Sequence, residues 1–395
     1  MAERDVDIAV IGGGAAALAF AAMCGGRRVT LLERAPRVGK KLLSTGNGKC
    51  NLTGLSVSAE DFNDPGFAGS FLARFSPEKA VSFFGSLGLR TRVTGGRVYP
   101  YSESASSVLD ALLCAARDRG ADILTRREVR AVTKAKDGFL LDVAVLGEKG
   151  ETVGSERVSA SAVVLATGSD AAQGRDSTAL FTALGHTARK FAPSLVPLKT
   201  DRESVKGLNG VRVKCAAELC GMREEGEILF RDYGLSGIAA LNISAMYARG
   251  VAKRGDVVTL DLMPECTASE TEAYIAAQRG RSAERVLKGL FHSRVAERVA
   301  ERAGQHLGEA PDAAALARVI KRYTLVLQGT CDASQAQVMS GGLTVREFDD
   351  GLCSVIVPGA YAVGEALDVD GLCGGCNLQW AWASAHAAAH ALSRA

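Results

Sequence analysis

Aromatic residues make up only 6% of this 395-residue chain, and histidine occurs five times. The scattered histidines form no metal-ligand spacing, so no metal is expected. No apolar run approaches the ~20 residues of a membrane span. A first strand starting near residue 6, beside Glu3, Asp5 and Asp7, leaves no room for a leader, so a cytoplasmic protein without membrane contact is expected. A basic block and an interleaving of basic and aromatic residues are both missing. With a net charge of only +3, nucleic acid is not an expected partner, whereas a small-molecule substrate is. The ten cysteines are spread through apolar segments rather than set in a small-domain framework, which points to free thiols in a reducing compartment.

Glycine is what the chain has in abundance, 44 of them beside 47% hydrophobic and 23% charged residues. The most telling lie at the start. The apolar run Ile8-Ala-Val-Ile11 leads into Gly12-Gly-Gly-Ala-Ala-Ala17, a G-x-G-x-x-A turn with Gly12, Gly14 and Ala17 at the fingerprint positions. Glu33 closes a second apolar run, Val29-Thr-Leu-Leu32. Gly12 permits a tight strand-to-helix turn, Gly14 lets the backbone approach a pyrophosphate, and Ala17 lets the helix sit close on the strand. The helix N-terminus adds unpaired N–H groups and roughly half a positive charge. Glu33 is placed to accept hydrogen bonds from an adenosine ribose. A strand, glycines, a helix and an acid in this register define a site for FAD or NAD(P).

A chain of this length exceeds one compact core. Helices are expected at 77–90 and 104–119, short strands between Ile123 and Leu146, and a buried strand from Val158 to Ala166. The texture changes near Pro193. This suggests a first nucleotide-binding stretch at 1–192, an insert at 193–335 (β-rich over 193–267, helical over 268–322), and a second stretch at 336–395. In the last, a strand at 359–363 ends in Gly364-Glu365, and a final helix begins near Leu378.

Four segments together resemble the HI0933-like flavoproteins. They are Val10–Ala16; Gly39-Lys-Lys-Leu-Leu-Ser-Thr-Gly-Asn-Gly-Lys-Cys-Asn-Leu-Thr53; Gly96-Arg-Val-Tyr-Pro100 with Ser106–Leu112; and Pro358–Gly371 running into Asn377-Leu-Gln-Trp-Ala-Trp382. The resemblance implies an α/β fold: a Rossmann-like two-stretch FAD-binding domain with an inserted β-barrel-like plus helical domain. It implies non-covalent FAD, with the adenosine end on Gly12, Gly14 and Glu33. Lys41, Thr45, Gly46, Gly48, Cys50 and Asn51 follow along the pyrophosphate and ribityl chain, the Val129 backbone meets adenine, and Gly364, Glu365, Gly375 and Asn377 lie at the flavin end. Ala15, Ala16, Arg34, Ala166, Thr167, Gly168 and Leu378 complete the expected cofactor-binding set. Three departures stand out: Ser169–Ser177 where a Gly-rich, Pro-containing stretch is usual, Met339 and Ile238 in place of Thr and Pro, and Cys373-Gly-Gly-Cys376 in place of a Thr-Gly-Gly-Tyr-like segment.

No second G-x-G-x-x-G turn follows a strand after residue 60, which argues against a separate NAD(P) domain. NAD(P)H is therefore expected as a transient electron donor at the open flavin face. Reduction of a conjugated C=C also needs a proton donor. Tyr99, Tyr233 and Ser236 are the candidates, in segments expected to line a domain interface, and a structural role is open for each. Cys373 and Cys376 offer a different chemistry, because a C-x-x-C near a helix N-terminus can hold a lowered thiol pKa and relay electrons to a disulfide. The alternative is that small residues are simply needed there. His186 and His292 are expected in a loop and on a helix surface. Three classes follow: an FAD-dependent oxidoreductase reducing a conjugated C=C or similar small apolar substrate, a dithiol-disulfide flavoprotein, and a flavin-binding protein without turnover.

Overall fold

The computed structural model describes residues 2–170 and 176–394. Residues 171–175, in the middle of the divergent Ser169–Ser177 segment, lie outside the described residues. The chain divides into two units, residues 1–191 with 340–395, and residues 192–339.

The first unit is built on a seven-stranded sheet. Its parallel part runs Asp122–Thr125, Val29–Glu33, Ala2–Ile11, Thr152–Leu165 and Ala360–Ala362; Gly138–Leu146 and Arg127–Ala135 extend it as an antiparallel meander. The inner half of the central strand does not alternate between apolar and polar residues. Ile8, Ala9, Val10 and Ile11 are all buried, as expected where helices cover both faces. That strand starts at Ala2 rather than near residue 6. Ala2 to Asp5 continue the ladder against Glu156 to Ser159, in an exposed extension where the charges of Glu3, Arg4 and Asp5 stay in water.

Helix Ala15–Met23 follows the first strand and reads Ala-Ala-Ala-Leu-Ala-Phe-Ala-Ala-Met, with seven of its residues buried. Alanine favours the helix and leaves room for close approach. The helix packs against Ala105–Asp118 and against the equally Ala-rich last helix, Cys376–Arg394. The stretch after Glu33 contains a short helix, Lys40–Ser44, entered through the left-handed Gly39.

In the second unit six strands close a barrel in the order Leu198–Thr200, Gly234–Ser236, Met222–Arg231, Arg212–Leu219, Val257–Asp261 and Tyr323–Thr330. Phe230, Leu235, Leu260, Leu325 and Leu327 are among the residues filling its core. Short helices Ile238–Ile243 and Ala245–Ala248 interrupt the stretch read as strands. Helices Ala268–Ala276, Ala283–Leu290, Ser293–Ala303 and Ala313–Lys321 follow, capped by Thr267, Ser282, His292 and Asp312, whose side chains accept backbone N–H groups.

Candidate functional site

The register of the parallel strands brings their carboxyl ends together: Ile11 lies opposite both Leu32 and Leu165, and Leu165 opposite Ala362. This is where ligands bind in open α/β sheets. Gly12 turns here with φ of 109°, and a β-carbon on it would stand 2.5 Å from the Ala166 carbonyl oxygen. The Gly13 N–H donates to Glu33 Oε2 and the Ala35 N–H to Glu33 Oε1, each at 2.7 Å. Glu33 thus braces the turn with both oxygens, leaving further lone pairs for a ribose. The fingerprint leaves the Gly13 position free, yet a β-carbon there would meet Val38 Cγ1 at 2.5 Å.

Gly14 is different. Nothing lies within 4 Å of where its β-carbon would be, and it caps helix Ala15–Met23 with no side chain. The first intrahelical bond is made by the Leu18 N–H, so the first-turn N–H groups of Ala15, Ala16 and Ala17 face an open cradle. That cradle fits a pyrophosphate.

The Thr45–Gly48 turn takes left-handed backbone at Gly46, Asn47 and Gly48, and Cys50 does so again at φ of 56°. The Cys50 N–H closes the turn on the Thr45 carbonyl at 3.0 Å. Burial pushes the Cys50 thiol up to about 12, so it is a neutral packing group. The Asn51 side-chain oxygen is buried with no hydrogen-bond partner among the described residues, which suits a donor on a ligand. Tyr99, half-buried on strand Arg97–Pro100, lies against this turn: its Cε1 is 3.7 Å from the β-carbon position of Gly46.

The returning stretch closes the site. Gly364 has φ of 65°, its N–H donates to Ser384 Oγ at 2.9 Å, and Trp380 Nε1 donates to its carbonyl at 3.0 Å. Lys41 Nζ bonds Glu365 at 2.5 Å, and the same carboxylate lies 3.8 Å from the β-carbon position of Gly168. Lys41, Gly168 and Glu365, from three separate stretches, therefore meet. The Ala166 N–H bonds Ile11, and Thr167 Oγ1 donates to the Ser177 carbonyl. Asn377 spends its amide on the Gly371 backbone, accepting at 2.9 Å and donating at 2.8 Å, and so staples the loop ahead of the last helix. Gly375 is forced to be glycine by Thr53, whose carbonyl carbon would be 2.5 Å from a β-carbon there, while Trp382 Nε1 ties the helix to the Leu52 carbonyl. Leu378, Arg34 and Val129 are half-buried, the last beside a bulge in its strand.

Cys376 opens the last helix but is buried, and a β-carbon on Gly371 would lie 2.6 Å from its own. Burial first, then the charges of Asp61 and Cys373, push its thiol up to about 12. The lowered pKa that a helix N-terminus can give is overridden by desolvation.

Tyr233 and Ser236 belong to the barrel unit; burial raises the Tyr233 phenol, and Ser236 pairs with Leu229. His186 lies in a loop, as expected, and is buried there between Phe181 and Phe348, bonding Glu347 through Nδ1 and Ser354 through Nε2. The exposed His292 caps its helix. Among the described residues no helix is long and apolar enough to cross a membrane.

Fold and turn together define a Rossmann-like dinucleotide-binding protein. The chain matches the HI0933-like protein Rossmann domain over residues 6–391. It is 34% identical to the 3-dehydro-bile acid delta(4,6)-reductase of Clostridium scindens over 413 aligned residues, covering 97% of this chain and 98% of the relative. The ribosomal RNA dihydrouridine synthase of Escherichia coli is 30% identical over 411 aligned residues, with 98% of each chain covered. Among solved structures, quinol-fumarate reductase shares the fold at a TM-score of 0.52 and 16% identity, covering all of this chain and 72% of that one. The 3-ketosteroid-delta4-(5alpha)-dehydrogenase of Rhodococcus jostii does so at 0.50 and 15%, covering all of this chain and 98% of that one. This chain belongs to the HI0933-like family and is an FAD-dependent oxidoreductase.

Proposed function

We propose that this protein carries electrons from NAD(P)H through FAD to a carbon–carbon double bond conjugated with a carbonyl. The observation that carries the flavin part is the open, uncapped helix N-terminus at Gly14, set at the strand ends where Gly364 comes against Ala16 of the same helix. The two relatives support the reaction. A 3-oxo-Δ4,6 steroid and the uracil ring of uridine both present a C=C activated by a carbonyl, and each name describes its reduction.

In this reading the N–H groups after Gly14 hold the pyrophosphate, Glu33 takes the adenosine ribose while bracing Gly13, and the Asn51 amide faces the ribityl chain. Bound FAD supplies the hydride chemistry; the protein supplies orientation and a proton. Tyr99 is the first unit's candidate donor because its ring lies against the Gly46 turn. Without a second nucleotide fingerprint, NAD(P)H and substrate take turns at one flavin face. The neutral, buried Cys376 favours this chemistry over a dithiol relay. Ten free cysteines fit a reducing, cytoplasmic setting.

The test is an anaerobic titration with NADH and NADPH while following flavin absorbance, then addition of a steroid dienone or a uridine-containing RNA. Bleaching by either nucleotide and recovery on adding one of the acceptors is expected. A flavin that neither nucleotide bleaches overturns the donor assignment; a bleached flavin that neither acceptor reoxidises overturns the C=C assignment.

A further inference from the structure

The modest net charge of +3 hides an uneven distribution. Between Glu33 and Glu60 the chain carries Arg34, Arg37, Lys40, Lys41 and Lys49 and no acid, and between Glu78 and Glu103 it carries Lys79, Arg90, Arg92 and Arg97 and no acid. The fold joins these two stretches. Thr53–Gly54 pairs with Arg97–Pro100, and Arg97–Pro100 pairs with Thr91–Thr94, in one three-stranded sheet.

The hairpin register sorts its side chains. Arg92 lies opposite Tyr99 and Thr94 opposite Arg97, and the Tyr101 N–H donates to the Arg90 carbonyl at 2.7 Å, which extends the ladder by one rung. Successive residues of a strand point to opposite faces, so Arg90, Arg92, Thr94, Arg97, Tyr99 and Tyr101 share one face. The opposite face holds the buried Val98 and Pro100. On the shared face the Arg92 guanidinium lies 4.1 Å from the centre of the Tyr101 ring, and Tyr101 is 57% exposed. Lys49 joins through an acid, Glu103, which bonds Lys49 at 2.6 Å and Arg92 at 3.4 Å. Cations alternating with aromatic rings are present after all, but across strands rather than along the chain.

We propose that this hairpin face is a docking surface for single-stranded RNA, with bases stacked on Tyr101 and the Arg92 plane and phosphates held by Arg90, Arg97 and Lys49. Stacking on exposed rings together with charge on the backbone is how single strands are bound. An acidic peptide has no π-faces to match the tyrosines, and an anionic lipid surface would make no use of a rung-by-rung alternation. The surface rests on the proposed reduction, for which a uridine-containing RNA is one of the two acceptors, and docking is read with no turnover, so failure of the one is distinguishable from failure of the other.

The experiment follows fluorescence anisotropy of a short, labelled, uridine-containing RNA bound by the FAD-loaded protein across a range of potassium chloride. Binding should weaken linearly in log–log form, by about 0.7 in slope for each phosphate neutralised. The triple variant R90A/R92A/R97A should flatten the slope by about 1.4, from the two phosphates that Arg90 and Arg97 hold. Tyr101→Ala should weaken binding about tenfold while Tyr101→Phe leaves it unchanged. FAD content checks folding, and R90K/R92K/R97K, which keeps the charges, should keep the slope. Slopes and affinities equal to wild type in the alanine variants would overturn the site. So would competition by phosphatidylserine vesicles or polyglutamate as effective as that by unlabelled RNA.

Discussion

Gly364 approaches Ala16 so closely that a β-carbon on it would lie 2.9 Å from the Ala16 β-carbon. The contact joins the turn before Glu365 to the first turn of helix Ala15–Met23, so the two ends of the chain share one wall of the proposed flavin site. Small residues are needed at both positions because the Ala16 methyl already fills the space that a Gly364 side chain would take.

Gly364→Ala should therefore destabilise the protein by about 1–3 kcal/mol, from overpacking together with a left-handed backbone. Adding Ala16→Gly should restore part of that loss, because it removes the clashing carbon but not the φ strain. Urea unfolding of the two single variants and the double variant measures the coupling. Additive effects would show that the two residues do not press on each other.

Glu33→Ala should have two effects. Loss of a charge-assisted bond to ribose should weaken FAD binding by about 1.5–3 kcal/mol. Loss of the Gly13 and Ala35 bonds should also lower the melting temperature of the FAD-free protein. A variant with reduced FAD affinity and an unchanged apo melting temperature would mean that the brace contributes nothing.

For the cysteine pair, the expected reductive titration ends at two electrons per flavin, without a long-wavelength thiolate-to-flavin band. Cys376 should resist iodoacetamide at pH 8 until the protein is unfolded, since a buried thiol held near 12 supplies almost no thiolate. A four-electron endpoint, lost in Cys376→Ser, would revive the dithiol chemistry.

The same burial predicts alkaline sensitivity. Cys50, Cys215 and Cys376 are each raised from 9.0 to about 12 in the folded protein. Below pH 9 both states keep their protons and the pH does not matter. Above it, the unfolded thiols ionise while the folded ones do not, so stability falls by up to about 1.4 kcal/mol per group per pH unit until the folded thiols ionise as well. Denaturant midpoints between pH 8 and 11 should show this fall, and replacing the three cysteines by Ala should make it shallower.

The parts of the fold legible in the sequence are those governed by short-range geometry. Gly12, Gly14 and Glu33 announce themselves because a tight turn, a backbone approach and a strand end must follow at fixed spacing. Gly13 does not, since the fingerprint leaves its second position free and it is the packed Val38 and Glu33 side chains that crowd out a β-carbon there. The run from Ala2 to Asp5 reads as a charged leader to the strand until its pairing with Glu156–Ser159 is seen. Cys376 looks like a helix-N-terminal thiol in sequence; its neighbours Gly371 and Asp61, which decide its state, come from the fold. The alternation of Arg and Tyr on the hairpin likewise emerges only when Arg92 is set opposite Tyr99.

The nucleotide-binding unit is interrupted for the whole of residues 192–339 before its last strand and helix are made. During synthesis, then, Ala360–Ala362 and the helix bearing Trp380 and Ser384 leave the ribosome after the whole barrel unit and long after Gly14 and Glu33. Until they arrive, helix Ala15–Met23 lacks its Ala-rich neighbour and Leu165 lacks its edge partner. The first 191 residues must wait with an apolar helix uncovered while the barrel closes on its own local contacts. The proposed cofactor site is therefore completed only after the insert has been made, and a nascent chain cut short of Gly364 has a fingerprint but no finished pocket.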